Sequence, residues 1–210
     1  MNAPIIDGLL RAGETANVIS YSKVGKSWLG YNLALSVLTG SPWLGRFETT
    51  PGKALLIDNE LHKPTLRNRI SRVAEAMGVP IEWCGKHLEI WPLRGRLRTL
   101  AELAAELETT EPGAFGLIVF DAKYRFTPAG SSENDNASET QIYNLLDEIA
   151  EHTQAAQVLI HHTSKGNQAD KRVTDVGAGA GAQSRAADCH LVLREHEKPD
   201  VVVLDAAVRS

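Results

Sequence analysis

A short stretch near the amino terminus constrains the fold more than any other part of this 210-residue chain. The apolar run 16–20 is followed by a tight polar loop, and Gly25-Lys26-Ser27 then opens a segment with apolar residues at helical spacing. In such a strand–loop–helix unit, the loop N–H groups and the helix N-terminus point at one spot, which suits a polyanion. The sequence therefore predicts a phosphate-binding loop at the end of a strand.

This loop assigns individual residues to nucleotide chemistry. Lys26 is expected to reach the β- and γ-phosphates of ATP, and the hydroxyl of Ser27 is expected to hold Mg²⁺. The pattern departs from the usual one at Ser20, because a glycine normally stands six residues before the lysine. We therefore expect the turn at Ser20 to form without a residue of positive φ. The other residues expected to contact the nucleotide are Ser22, Lys23, Val24, Gly25 and Trp28.

The composition predicts one globular domain over residues 1–210, since 43% of the residues are hydrophobic and can bury a sizeable core. Cys84 and Cys189 lie far apart without metal-ligand spacing, which favours a reduced, cytoplasmic protein without disulfides. No apolar run is long enough to span a membrane. The formal net charge of −4 argues against coating nucleic acid or membrane by bulk electrostatics, although it allows a local basic lining.

Strand and helix patterns alternate along the chain, which is typical of an α/β fold with a mostly parallel central sheet and helices on both faces, in three layers. Residues 1–13 are predicted to be an irregular lead, and residues 127–138 and 163–183 to be long polar loops. The predicted strands are 16–20, 53–58, 87–91, 116–121, 157–161, 189–194 and 201–204, and the predicted helices are 26–38, 63–77, 97–107 and 140–152.

Acidic residues follow two of the predicted strands, at the sheet edge where open α/β sheets bind ligands. Asp121 ends the most apolar strand and is expected to bind Mg²⁺ through the water shell of the metal. Position 122 is alanine, so the base that orients the attacking water must come from another strand. Glu60 is the preferred base, and Asp58 is its competitor.

Two adjacent histidines, His161 and His162, end another predicted strand. A zinc site is disfavoured, because no cysteine or third histidine stands at ligand spacing. A donor to the γ-phosphate or to the attacking water is favoured, and strand alternation should point one histidine away, with His162 preferred for the site. Arg185 is a candidate arginine finger for a neighbouring subunit, and an ordinary salt-bridged arginine is the alternative.

Two arginine clusters are candidates for nucleic-acid binding. Residues 67, 69 and 72 are predicted to form a solvated helix face. Residues 94, 96 and 98 lie between a strand and a helix, and a nucleic-acid role for them is the minor alternative.

Taken together, the motifs occur in an order that resembles a known family. They are Lys23-Val24-Gly25-Lys26-Ser27, Leu56-Ile57-Asp58-Asn59-Glu60, Ile118-Val119-Phe120-Asp121, Ser132-Glu133-Asn134-Asp135-Asn136, Ile160-His161-His162-Thr163-Ser164-Lys165 and Ser184-Arg185-Ala186-Ala187-Asp188. With them the chain resembles the RecA-like P-loop ATPases of the plasmid hexameric replicative helicase (RepA-like) group. The resemblance implies Mg²⁺-dependent ATP hydrolysis at the subunit interfaces of a homo-oligomeric ring, a hexamer, with Glu60 as base, His162 or His161 as sensor and Arg185 as finger.

Two functions of different classes follow from this interpretation. The leading one is an ATP-driven motor or clamp on single-stranded DNA, whose channel is lined by the loop 163–183 with Lys165, Lys171 and Arg172. The alternative is an ATP-dependent regulatory or assembly switch that binds a protein partner without unwinding DNA. A small-molecule kinase would need an arginine-rich lid, and the sequence presents no evident one.

Overall fold

The computed structural model describes residues 2–126, 136–163, 173, 176 and 181–209. The strands are β1 (Pro4–Ile6), β2 (Leu10–Arg11), β3 (Thr15–Ser20), β4 (Ala54–Asp58), β5 (Leu88–Pro92), β6 (Leu117–Asp121), β7 (Ala156–His162), β8 (Cys189–Glu195) and β9 (Val202–Val208). The helices are α1 (Lys26–Thr39), α2 (Lys63–Ala76), α3 (Ile81–His87), α4 (Leu100–Leu107), α5 (Asn136–Thr153) and α6 (Gly181–Ala186), with a 3-10 helix at Lys123–Arg125.

Seven strands form one sheet in the order β5-β4-β6-β7-β3-β8-β9, in which β9 alone runs antiparallel to its neighbour. Every residue of β3, β4 and β6 is buried, as expected for parallel strands covered on both faces. Helices α1, α2 and α3 pack together over one face, and α4, α5 and α6 pack over the other. The predicted three-layer fold with a mostly parallel sheet is confirmed.

Alternation along the strands decides which polar residues face α1. In β7, Val158 and Ile160 pack in the core on the α1 side, whereas Leu159 packs in the core on the α5 side. His162 therefore continues the α1 side and His161 the α5 side. The same alternation in β6 places Asp121 on the α1 side, after Val119.

Some elements were not predicted from the sequence. The lead at residues 1–13 contains the antiparallel pair β1–β2, so its prediction as irregular was wrong. Helix α3 was not predicted, and α5 begins at Asn136, four residues before the predicted start. The predicted loop 163–183 overlaps α6 at its end, and most of this loop, with Lys165, Lys171 and Arg172, lies outside the described residues. Residues 127–135 of the other predicted loop also lie outside them.

No helix of the described chain is both long and apolar enough to cross a bilayer.

Candidate active site

A cleft of about 300 Å³ opens at the carboxyl ends of the central strands, beside the N-terminus of α1. In the sheet, β7 lies between β3 and β6. The end of β7 is therefore beside both the loop after β3 and Asp121 at the end of β6. The residues that line the cleft are Lys23, Gly25, Lys26, Ser27, Trp28, Glu60, Leu61, Arg69, Asp121 and His162.

The loop before α1 turns at Lys23 and Gly25, which have φ angles of 69° and 113°. Ser20 is instead the last residue of β3, and its side chain is fully buried. The Ser20 hydroxyl donates a hydrogen bond to the carbonyl of Tyr21 (2.8 Å). The turn at Ser20 thus forms without positive φ, because the left-handed residues stand later in the loop.

Lys26 is buried, and its ammonium is hydrogen-bonded to the loop and to the end of β7. Nζ donates to the carbonyl oxygens of Ser20 (3.0 Å) and Tyr21 (2.8 Å), to Oγ of Ser20 (3.2 Å) and to Nδ1 of His162 (3.2 Å). Burial lowers the pKa of Lys26 to about 8, although the charges of Asp121 and Glu60 oppose this shift. Ser20 therefore supplies an acceptor for Lys26 that a glycine at this position would lack.

The remaining predicted phosphate-loop residues lie around this lysine. Ser22 is exposed, and its Oγ lies 3.4 Å from Nδ1 of His162. Val24 is half-buried against the core below α1, and the half-buried Trp28 lines the cleft. Gly25 is the N-cap of α1, and no atom lies within 4 Å of the position that a Cβ would take there.

Asp121 and Ser27 face each other across the cleft floor. Asp121 is buried, and its Oδ2 has no hydrogen-bond partner within the described part of the chain. Burial raises the pKa of Asp121 to about 7; the charges of Asp58 and Glu60 add to this shift, whereas Ser27 and Lys26 oppose it.

An unpartnered buried carboxylate oxygen beside a serine hydroxyl fits Mg²⁺, which prefers oxygen ligands. Within the described residues, no group of three or more His, Cys, Asp or Glu side chains could hold a metal ion. A magnesium ion at Ser27 and Asp121 would therefore take its other ligands from phosphate and water.

The two acids after β4 have different surroundings. Oδ1 of Asp58 accepts the backbone N–H groups of Glu60 (2.9 Å) and Leu61 (2.8 Å), and Oδ2 accepts the hydroxyl of Tyr31 (3.2 Å). Burial raises the pKa of Asp58, while these hydrogen bonds oppose the shift. Asp58 thus holds the turn in which Glu60 stands, and Glu60 is the one of the two that lines the cleft.

The two histidines lie on opposite faces of β7. His162 lines the cleft, whereas His161 is buried on the α5 side. Nδ1–H of His161 donates to the carbonyl of His162 (3.2 Å), and Nε2 accepts from the side-chain amide of Gln183 (2.9 Å). Burial lowers the pKa of His161 well below its usual range, and the charge of Lys123 adds to the shift.

Arg185 is exposed on α6 and does not line the cleft of its own chain. Residues on both sides of it are held to the sheet: Gln183 contacts His161 in β7, and Asp188, which follows α6, accepts the N–H of Thr15 at the start of β3. Arg185 therefore lies on an exposed segment between these two contacts.

Arg69 was predicted to lie on a solvated face, but it lines the cleft. Its guanidinium carbon lies 5.3 Å from the centre of a Trp28 ring, and that of Arg72 lies 5.7 Å from the same indole. Such stacking attracts a guanidinium to the indole face and restrains its position. The helical pattern in the sequence did not distinguish this position from a solvated one, and the one hint was that α2 starts three residues after Glu60.

Two of the arginines after β5 make specific contacts within the chain. Arg98 donates to the carbonyl of Glu102 (3.0 Å) and pairs with the carboxylate of Glu106, both on α4. Arg94 donates to the carbonyl of Glu60 (2.7 Å).

Comparisons with known proteins agree with this architecture. A family model described as an AAA domain matches residues 2–168. The RadB recombinase structure superposes with a TM-score of 0.65 at 19% identity, covering 94% of this chain and 82% of that one. The structure of the ATPase domain of G40P superposes with a TM-score of 0.70 at 14% identity, covering 94% and 78%. At these identities the likeness establishes the RecA-like fold. No curated protein matches the chain significantly.

Proposed function

Because the chain belongs to the AAA domain family, we propose that it binds ATP with Mg²⁺ and hydrolyses it in the cleft beside α1. The observation that carries this proposal is that five side chains from four separate segments meet in one cleft. They are Lys26, Ser27, Glu60, Asp121 and His162.

Each of these residues has a role that follows from its position. Lys26 would exchange its acceptors in the loop for the β- and γ-phosphates. Bound Mg²⁺ would be held by Ser27 and Asp121, and it supplies charge neutralisation at the phosphates. Glu60 would orient the attacking water and accept its proton. His162 accepts from Lys26 through Nδ1, so its Nε2–H would be the donor toward the γ-phosphate or the water.

Arg69 adds a further cation to Lys23 and Lys26 in the cleft of the same chain. Its contact with Trp28 holds the guanidinium beside the phosphate-loop helix, where it would bind a phosphate oxygen of the nucleotide. We expect this arginine to contribute to nucleotide binding without a neighbouring subunit.

The proposed biological role is a ring-forming motor on single-stranded DNA, of the replicative-helicase type. The resemblance of the motifs to the plasmid helicase group supports this role, as does the likeness to structures titled as a recombinase and as the ATPase domain of G40P. Arg185 lies outside the cleft of its own chain, which suits a finger supplied to a neighbour in a hexameric ring.

One observation favours the alternative, an ATP-dependent switch that binds a protein partner. Two arginines of the exposed stretch after β5 donate to groups of their own chain, Arg94 to Glu60 and Arg98 to α4. The net charge of −4 also argues against binding DNA by bulk electrostatics.

The experiment that tests these proposals measures the ATP hydrolysis rate of the full chain with and without single-stranded DNA. A motor is expected to hydrolyse ATP with Mg²⁺ and to accelerate when the DNA is added. An ATP hydrolysis rate that does not change when DNA is added would favour the switch. Absence of nucleotide binding and turnover in folded protein, with and without DNA, would refute the ATPase proposal.

A further inference from the structure

The backbone N–H and carbonyl groups of both Asn59 and Glu60 are hydrogen-bonded. The N–H of Asn59 donates to the carbonyl of Asp121 (2.8 Å), and the N–H of Glu60 donates to Asp58 (2.9 Å). The two carbonyls accept from arginines: that of Asn59 from Nη1 of Arg125 (3.2 Å), and that of Glu60 from Nη1 of Arg94 (2.7 Å).

The two arginines reach this turn from opposite sides. In the sheet, β4 lies between β5 and β6. Arg94 follows β5, and Arg125 belongs to the 3-10 helix that follows β6. Because the three strands are parallel, their carboxyl ends lie at one edge of the sheet, and a residue after each outer strand can contact the turn after the middle one.

Arg125 is also connected to the site through Tyr124. Nε of Arg125 donates to the hydroxyl of Tyr124 (2.8 Å), and this hydroxyl faces the carboxylate of Glu60. The ring of Tyr124 lies 6.0 Å from the ring of His162. Asn59 completes the arrangement, since its side chain accepts the N–H of Ala122 (2.9 Å) and donates to the carbonyl of the same residue (3.2 Å).

We propose that Arg94 and Arg125 are positioning residues that hold Glu60 in the geometry needed to orient the attacking water. This inference rests on the proposed function, in which Glu60 is the base. Neither arginine lines the cleft, so each acts through the backbone of the turn. A charged donor to a carbonyl makes a stronger hydrogen bond than a neutral one, and two of them restrain the turn from both sides. Hydrolysis is sensitive to this restraint, because a shift of about 1 Å in a catalytic group can cost about 100-fold in rate.

Arg94 offers the cleaner test, because its side chain is exposed. Arg94→Ala is expected to lower kcat about 10-fold or more, while the affinity for ATP stays unchanged. Arg94→Lys keeps one charged donor and is expected to restore most of the rate. Arg98→Ala is the matched control, since Arg98 also donates to a carbonyl but does so on α4, and it should leave kcat unchanged.

A double variant separates positioning from a general structural effect. If Arg94 acts through Glu60, Arg94→Ala adds no further loss of kcat in the Glu60→Gln background, because interacting positions are non-additive. Arg125→Ala is the second single variant, and it should lower kcat without weakening ATP binding.

The outcomes distinguish the inference from the proposed function. If Glu60→Gln slows hydrolysis and Arg94→Ala does not, the positioning role is refuted and the ATPase proposal stands. A loss of ATP affinity equal to the loss of kcat, or fully additive losses in the double variant, would also refute it. If Glu60→Gln leaves kcat unchanged, the base assignment fails and this inference fails with it.

Discussion

Nζ of Lys26 lies 3.2 Å from Nδ1 of His162, so the phosphate-loop lysine and the end of β7 share a hydrogen bond. The two residues are 136 positions apart in the chain. A phosphate bound in the loop would compete for the same ammonium, and His162 would then lose its donor. The occupancy of the cleft is thus coupled to the hydrogen bonding of β7.

Lys26→Ala is expected to abolish ATP turnover while the protein remains folded. The variant removes the charge that would face the β- and γ-phosphates, and preorganised charges of this kind provide much of the transition-state stabilisation. Steady-state hydrolysis and a thermal melt measure the two effects. Lys53→Ala, at an exposed lysine before β4, is the control and should keep full activity. Turnover by folded Lys26→Ala protein would refute the phosphate-loop assignment.

Glu60→Gln is expected to bind ATP normally and to hydrolyse it ~10²–10⁴-fold more slowly, the usual contribution of a general base. Asp58→Asn is the comparison, because Asp58 bonds two backbone N–H groups and Tyr31 instead of lining the cleft. Asp58→Asn should lower the melting temperature, while kcat measured well below that temperature should change little. A catalytic defect in Asp58→Asn together with normal activity in Glu60→Gln would show that the other acid is the base.

Arg69→Ala is expected to weaken ATP binding about 10-fold, which corresponds to the loss of one hydrogen bond from a charged donor. Calorimetric titration of ATP measures this change. Arg72→Ala is a close control, because Arg72 also lies over Trp28 but does not line the cleft. Equal losses in the two variants would mean that the stacking on Trp28 matters and that Arg69 does not contact the nucleotide.

Arg185→Ala is expected to lose activity and still bind nucleotide, because Arg185 would act on the cleft of a neighbour. Mixing it with Lys26→Ala protein should restore part of the turnover, since some interfaces then contain both an intact loop and an intact finger. Titrating one variant into the other while measuring hydrolysis tests this. Mixtures without any rescue would exclude a finger acting between subunits.

The burial of His161 predicts that the protein loses stability in acid. Burial lowers its pKa well below 6.5 in the folded protein. Below about pH 6.5 the unfolded chain therefore takes up a proton that the folded chain does not, and the free energy of unfolding falls as the pH falls. Between pH 7 and pH 5, the melting temperature of His161→Gln should fall less than that of the natural chain. His62→Gln, at an exposed histidine, is the control, and equal acid losses in all three proteins would contradict the prediction.

Much of the fold could be predicted from the sequence because its signals are local. Apolar runs such as β6 identify buried parallel strands, and glycines such as Gly25 and Gly78 mark turns by their backbone freedom. Helices α3 and α6 were missed because they are short and lack a clear apolar period. Arg69 was misassigned because an arginine on a helix face has the same local pattern whether it faces solvent or a cleft.

The sequence by itself determined the phosphate loop, the three-layer class and the set of polar residues at the strand ends, since each depends on residues close in the chain. Only the tertiary structure decided which of them meet. The order of the strands places β7 between β3 and β6, which puts His162 in the cleft and turns His161 toward Gln183. It also places Arg94 and Arg125 on either side of Glu60. Contacts of this kind join residues from different loops, and strand order has no local signature in the sequence, because it results from packing the whole sheet.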